Sequence, residues 1–349
     1  MKPNINILIV EDDPNQIQSY LDTIEIYNEE EKTNIIPESV ESLESALEKM
    51  SLNNYDAAIV DLKLSKSTTE FAGNIIAKEI ISNLRFPLFI LTGNKADVDV
   101  DLVEQKNTFF DFYNKGEIEV KEILNSIVKT HNTGITQILN RQGPIEKYLT
   151  KIFRENIVLS MPYWIDKANT ENTYDPLLRY TMSHLQEFLE ISDNGNYQNY
   201  HIPEIYIKNP IKISDSTVYT GDIVIDLGSN THYFIISPSC DLATDKGRSP
   251  KVEFVTLIKI DGLDKLPING DKAKNVKNNK EYAYHYLPPI DNIFHGGLIH
   301  FQQIRSVKIS DIINKELYHV SLCISNAFKK DIIARFSNYY SRQGQPTFD

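Results

Sequence analysis

ILIVEDDP (residues 7–14) decides the fold of the first third of this chain. It is a short apolar run that ends abruptly in Glu11, Asp12 and Asp13, with Pro14 next. A fully buried strand reads as such a run, and proline suits the first turn of a following helix. Ile17, Leu21 and Ile24 then recur at helical spacing. The pattern repeats down the chain. Residues 34–40, AAIVDL (57–62), FPLFILTG (86–93) and FFDFYNKG (109–116) are further strand candidates. SLESALEKM (42–50), FAGNIIAKEIISN (71–83) and residues 117–131 read as helices; in the last, Ile118, Ile123, Ile127 and Val128 share a face. Five strands alternating with helices predict a doubly wound α/β domain with a five-stranded parallel sheet, flavodoxin-like. In such a sheet the carboxyl ends of all strands lie on one edge, where ligands bind.

That placement gathers scattered residues. Glu11-Asp12, Asp61, Thr92 and Lys115 each stand at the end of an apolar run. Three acids, a hydroxyl and an amine on one edge make a site for a divalent metal and a phosphoryl group. Asp13 is expected only to cap the helix that begins at Pro14.

At 349 residues the chain is long for a single core, and two or three domains are expected. No apolar run approaches the ~18–20 residues that span a bilayer. MKPNINILIVEDD runs into acids where a signal peptide would have its cleavage site. Cys240 and Cys323 supply neither a disulfide framework nor a metal quartet. A cytoplasmic protein without a membrane partner is expected. Residues 1–131 hold 12 Lys+Arg against 24 Asp+Glu, the whole net charge of −12; the rest of the chain balances. Neither part has the basic excess of a typical DNA-binding protein, so DNA is not expected as a partner.

Breakers at His131–Gly134 and Arg141–Pro144 close the α/β region. Helical patterns follow at 145–161 and 175–191, the second opening on Asp175-Pro176. From about 201 the texture becomes strand-like: EIYIKNPI (204–211), DIVIDLGS (222–229), HYFIISPS (232–239), VEFVTLIKI (252–260), IHFQQIRSVKI (299–309) and LYHVSLCI (317–324). Gly228-Ser229-Asn230 reads as a hairpin loop, and the lysine-rich stretch 264–281 as an exposed loop. A final helix is expected over 327–342. The expected organisation is a phosphoryl domain over 1–131, a helical connector over 132–200 and a small β-barrel with a C-terminal helix over 201–349.

Glu11-Asp12 after a strand, Asp61 after the next, Thr92 31 residues on and Lys115 23 further resemble the receiver domain of two-component response regulators. The resemblance implies that Asp61 is the phosphoacceptor. It implies Mg²⁺ held by Glu11, Asp12, Asp61 and the backbone carbonyl of Lys63. Thr92 and Lys115 would contact the phosphoryl oxygens, and Phe112 would be the aromatic that turns as Thr92 moves. The implied partners are a sensor histidine kinase or phosphotransfer protein, an effector protein, and a second copy of the chain through the receiver. Two departures stand out. The family's proline and glycine turn after the acceptor is replaced by LKLSKSTTEFAG (62–73), with Gly73 standing for the glycine. Gly116 replaces the proline after the lysine, so a cis peptide is not required there. Lys63 and Asn94, two residues beyond Asp61 and Thr92, are expected to tune hydrolysis.

TGDIVIDL (220–227), a strand ending in IIS, and FQQIRSVKISDI (301–312) are similar in order to segments of PemK/MazF-type toxins, SH3-like barrels that cleave RNA. The basic residue those enzymes carry before their second strand is absent from SNTHYFIIS; Arg305 is the remaining candidate cation. Cys240-Asp241, with His232 and His295, reads as a turn with a small buried thiol. The expectation is a phosphorylation-controlled response regulator with a non-DNA-binding effector. A toxin-like ribonuclease or hydrolase, and a protein-binding scaffold, are the alternatives.

Overall fold

The computed structural model describes residues 4–65, 71–190, 199–207, 218–243, 252–267 and 270–342. The chain divides into two compact units, Met1–Tyr197 and Gln198–Asp349.

The first unit begins with β1 (Ile5–Val10), α1 (Pro14–Glu31), β2 (Ile35–Val40), α2 (Leu43–Leu52), β3 (Ala57–Val60) and α3 (Ala72–Asn83). It continues with β4 (Leu88–Thr92), a single helical turn α4 (Val100–Val103), β5 (Phe110–Asn114) and α5 (Val120–Asn132). All neighbouring strands are parallel, in the order β2-β1-β3-β4-β5. This is the doubly wound, flavodoxin-like order expected from the alternation of elements. Period-2 alternation sorts the strand side chains into two layers. Leu8, Val10, Ala58, Val60 and Ile90 face a core shared with Ala46 and Met50 of α2 and with Ile76 and Ile80 of α3. Ile7, Ile9, Ile59 and Leu91 face one shared with Tyr20 and Ile24 of α1 and Ile123 and Ile127 of α5. The helix after β4 is short, because a 3₁₀ turn at Lys95–Asp97 uses up part of the connection.

The unit does not stop at residue 131. Gly134, at φ 81°, turns the chain into α6 (Ile135–Leu139), whose Thr136 is buried. The Thr136 hydroxyl donates to Asp56 Oδ1 at 2.7 Å, and the Asn6 amide donates to Oδ2 at 2.9 Å. The Arg141 guanidinium donates to the Met50 and Ser51 carbonyls at the end of α2, where unpaired carbonyls favour a cation. The helix expected over 145–161 runs further. α7 (Pro144–Ile152) passes through a π turn at Phe153–Ile157 into α8 (Val158–Ala168), which contains Pro162. The π turn lies just upstream of the proline and takes up the irregularity that would otherwise end the helix. α9 (Tyr174–Glu190) starts one residue before Asp175, with the Asn172 side chain accepting from the Tyr174 amide.

The second unit is an antiparallel sheet of β6 (Tyr206–Ile207), β7 (Asp222–Asp226), β8 (His232–Ile235), β9 (Phe254–Asp261), β10 (Tyr284–Leu287), β11 (Gly297–Lys308) and β12 (Tyr318–Ile324). Its order is β10-β11-β9-β8-β7-β12-β6. Bulges between Ile299 and Ile304 and between Val320 and Leu322 bend it. The Tyr206 hydroxyl of β6 donates to the Pro288 carbonyl beside β10, so the two ends of the sheet curl toward each other. One face packs Phe234, Ile258 and Phe301 against Ile332, Phe336 and Tyr339 of α13 (Asn326–Ser341). The other packs Val224, Ile235 and Leu257 against Ile309 and Ile312 of α12 (Ile309–Ile313). Two short helices complete the unit, α10 (Ser239–Leu242) and α11 (Gly270–Lys277). The hairpin at 228–230 is present: Asp226 Oδ1 accepts from the Gly228 and Ser229 amides, and Asn230 takes φ 53°. The stretch 264–281, expected as a loop, contains α11, anchored by buried Val276. β10 is a strand that the sequence reading does not assign. Parts of the expected 204–211 strand, of the 62–73 loop and of the 237–245 segment lie outside the described residues. Among the described residues no helix is long and apolar enough to cross a membrane.

Replacing Thr136 by valine leaves Asp56 Oδ1 buried without its hydroxyl donor. The first unit should lose about 1–3 kcal/mol, read from urea unfolding of the full chain. An unchanged midpoint would show that α6 does not belong to this folding unit.

Candidate functional site

The carboxyl ends of β1, β3 and β4 bring Glu11, Asp61 and Thr92 together, each under a tenth exposed. Lys115, one residue past β5, completes the group. Its amide donates to the Thr92 carbonyl at 2.7 Å, which continues the β4–β5 pairing and fixes where its side chain starts. The ammonium donates to Glu11 Oε2 at 2.7 Å and to Asp61 Oδ2 at 2.8 Å. Gly116 takes φ 84°, a left-handed turn that a β-carbon would disfavour, and the described residues contain no cis peptide.

One cation faces two buried carboxylates, so the pocket keeps a net negative charge. Burial alone would push the Lys115 ammonium toward neutrality; the hydrogen bonds and charges of Asp61 and Glu11 outweigh it and hold the pKa above the ordinary lysine value. Burial pushes the Glu11 carboxyl up, against the pull of Lys115. Asp61 Oδ1 is buried with no hydrogen-bond partner. An orphaned carboxylate oxygen is expensive away from water, and a hard cation or a phosphorus electrophile would relieve it.

Asp12 is differently employed. Its Oδ2 accepts from the Ser65 amide at 2.5 Å and also from the Ser65 hydroxyl. The oxygen-rich donor set suits Mg²⁺ in kind. Among the described residues, though, no three His, Cys, Asp or Glu side chains are grouped closely enough to hold a metal ion. Lys115 occupies the space between Glu11 and Asp61, and Asp12 is turned to Ser65. Asp13 caps α1, accepting from the Asn15 amide.

Asp61 is set in place from below by Gly73. A β-carbon there would lie 2.3 Å from the Asp61 carbonyl oxygen and 2.6 Å from Leu62 Cα. The Gly73 amide donates to the Leu62 carbonyl at 3.0 Å, so α3 begins directly against the backbone of Asp61 and Leu62. Lys63 and Asn94 meet on a residue the sequence did not single out. The Lys63 ammonium pairs with Asp97 Oδ2 at 2.9 Å, and Asn94 Nδ2 donates to Oδ1 at 3.0 Å. Phe112 is half-buried against the α2–α3 core, 6.0 Å from the Phe110 ring, with the Lys106 ammonium 5.4 Å from its centroid. Tyr20, wholly inside on α1, feels the charges of Lys115, Glu11 and Asp61. Tyr20, Ser65 and Asp97 were missed because no motif marks a residue whose role is to hold another.

In the second unit the suspected chemistry is otherwise engaged. The Arg305 guanidinium donates to Asp226 Oδ2 at 2.9 Å and to the Tyr318 hydroxyl at 2.6 Å, and stacks 3.8 Å over Tyr233. Its hydrogen bond, helped by the Ser229 and Gly228 amides, holds Asp226 below the usual carboxylate range. Cys240 is exposed, with its thiol 3.6 Å from Asp241 Oδ1, where a buried thiol was expected. His232 packs on Phe294, and burial, reinforced by His295, lowers its pKa.

Two substitutions test this geometry. Lys115→Met leaves Glu11 and Asp61 uncompensated. The loss should be about 2 kcal/mol, less than the ~3–5 of a fully buried pair because the lysine is 29% exposed. Glu11 is already raised in the folded state, and removing the cation raises it further. The folded form then binds more protons than the unfolded one, so stability should fall as pH rises from about 4.3. A pH-independent stability between pH 5 and 8 would contradict this. Gly73→Ala forces the Asp61 backbone to shift, and a loss of about 1–3 kcal/mol is expected from overpacking, measured by thermal melting.

No family model matches the chain, and no curated protein matches it. Solved structures do match the first part. One is a CheY-like response regulator receiver domain from Methylobacillus flagellatus, 27% identical over 36% of this chain and 99% of that one, with a TM-score of 0.27. Another is the receiver domain of the Francisella response regulator 1452, 20% identical over 37% of this chain and 99% of that one, TM-score 0.30. A third, a CheY-like receiver domain protein from Methanospirillum hungatei JF-1, is 18% identical over 38% and 99%, TM-score 0.28. Over its N-terminal 37% or so, this chain is similar to CheY-like response regulator receiver domains.

Proposed function

We propose that the chain is a phosphorylation-controlled signalling protein whose acceptor is Asp61. The observation that carries this reading is the state of the Asp61 carboxylate. One oxygen is held by Lys115, while the other is buried and unpartnered. An oxygen in that state is oriented as a nucleophile and stripped of water. Asp61 would attack the phosphorus of a phosphohistidine on a sensor kinase or phosphotransfer protein. The new bond is carboxylate oxygen to phosphorus, the bond broken is phosphorus to imidazole nitrogen, and the histidine leaves with the electron pair. Glu11, Asp12, Asp61 and the Lys63 carbonyl would hold Mg²⁺ only once Lys115 leaves Glu11 and Asp61 and Asp12 turns back from Ser65; the ion would offset the repulsion between carboxylate and phosphoryl oxygens. Lys115 would move from its carboxylate pair to a phosphoryl oxygen, as a point charge on a flexible stem can. The Thr92 hydroxyl would donate to another.

The charge added at Asp61 is useful only if it biases an element with two arrangements. Thr92, Phe112 and the β4–α4 connection, tied by Asp97 to Lys63 and Asn94, are the elements in reach. The second unit would be the effector, working by protein contact. Two observations support contact over RNA cleavage there: the near-balanced charge of residues 198–349, 18 Lys+Arg against 16 Asp+Glu, and the commitment of Arg305 to Asp226, Tyr318 and Tyr233.

Incubation with acetyl phosphate and Mg²⁺ should add one phosphoryl group to the wild-type chain and none to Asp61→Asn, read by intact mass and by lability to hydroxylamine. Equal labelling of the two would place the acceptor elsewhere.

A further inference from the structure

The helices α7, α8 and α9 make an antiparallel hairpin: Tyr148 of α7 meets Phe188 late in α9, and Trp164 of α8 meets Tyr180 early in α9. The core between them fully buries Ile152, Ile157 and Leu185 and leaves much apolar surface outside. On α9, Leu178, Met182 and Leu189 are 51%, 53% and 49% exposed. With Leu185 they form a stripe whose steps are four, three and four residues, the spacing of a coiled-coil seam. On α8, Val158 and Ile165, two turns apart, are exposed as well. Viewed from its own N-terminus, each helix carries its stripe about a quarter turn clockwise from the side packed in the hairpin. In an antiparallel pair that offset puts both stripes on the same side. The hairpin therefore presents one apolar face to which both helices contribute.

We propose that this face is the seam of a two-fold dimer, its occupant being the α8–α9 face of a second copy of the chain. The proposal stands apart from the Asp61 reading and uses none of its residues. Its basis is the symmetry of the stripe. Steps of four, three and four read the same in both directions, so the surface complements itself in antiparallel, as an isologous contact requires. A two-fold axis crossing α9 between Ser183 and His184 sets Leu178 opposite Leu189 of the partner subunit, and Met182 opposite Leu185 of the partner subunit. The polar flank agrees. Arg179 and Gln186 border the stripe on the side away from α7, and the axis brings Arg179 beside Gln186 of the partner subunit. There the guanidinium can donate to the amide oxygen, and the two Arg179 cations stay apart. Two hairpins joined in this way complete a four-helix bundle, the arrangement in which paired helices cover their apolar sides. A lipid surface fits less well, because α9 sets one Arg against Asp175, Glu187 and Glu190, where such helices carry a basic flank.

Sedimentation equilibrium of the full chain is the test. Wild type should be dimeric at micromolar concentration. Leu178→Glu/Leu189→Glu should weaken the dimer by about a hundredfold or more, since four leucines leave the seam and carboxylates replace them face to face. The register has a separate reading in chains whose free Cys240 and Cys323 are replaced by serine. Leu178→Cys/Leu189→Cys should form an interchain disulfide on oxidation with copper phenanthroline. Leu178→Cys alone should not, because the axis holds the two copies of position 178 roughly 16 Å apart along the helix, beyond disulfide reach. A monomeric wild type, or a dimer indifferent to the two glutamates, would overturn the proposal. Equal cross-linking of the single-cysteine and double-cysteine chains would overturn the antiparallel seam.

Discussion

The ammonium of Lys115 between Glu11 and Asp61 is the interaction on which the first unit's edge is organised. Two buried carboxylates cannot both stay ionised at close quarters without a cation between them. The lysine supplies it, and its own backbone is tied to Thr92 by the continuation of the β4–β5 ladder. Everything else at the edge is arranged around that triad. Gly73 lets α3 approach the Asp61 backbone, Ser65 takes up Asp12, and Asp97 gathers Lys63 and Asn94. The pocket remains one charge short of neutral, which is what gives an incoming cation or a rearranging lysine something to do.

The second unit solves a different problem. An antiparallel sheet must cover two faces, and its seven strands are clothed by α13 on one side and by α12 with neighbouring loops on the other. Its polar residues are largely paired within the sheet. Arg305, Asp226, Tyr318 and Tyr233 form one set, and Asp261 accepts from Lys259 and His300 in another. Groups so committed contribute to the packing of the curled sheet, because a buried charge without a partner is far more costly than one with it.

Much of the first unit was legible from sequence because its signals are local. Each strand is an apolar run that ends in a polar residue, each helix has its spacing, and the order of acid, acid, threonine and lysine needs no distant information. What escaped reading was set by neighbours. Pro162 suggests a helix end, but a π turn upstream accommodates it. The lysine-rich stretch after 264 looks like a loop, yet one buried valine is enough to seat α11. Tyr284–Leu287 is too short and too polar to be recognised as a strand until β11 lies beside it.

The sequence by itself determined which residues stand at the strand ends, since alternation of apolar runs with helical periods places every carboxyl end on the same edge. It determined as well the acidic excess of the first unit and the turn residues of the 228–230 hairpin. Only the tertiary structure decided how those edge residues are spent. Hydrogen bonds between residues dozens of positions apart give Lys115 to Glu11 and Asp61, Asp12 to Ser65, and Thr136 to Asp56. No periodicity encodes such pairings, because they depend on the approach of separate elements, and that approach is set by core packing rather than by any residue's own preference.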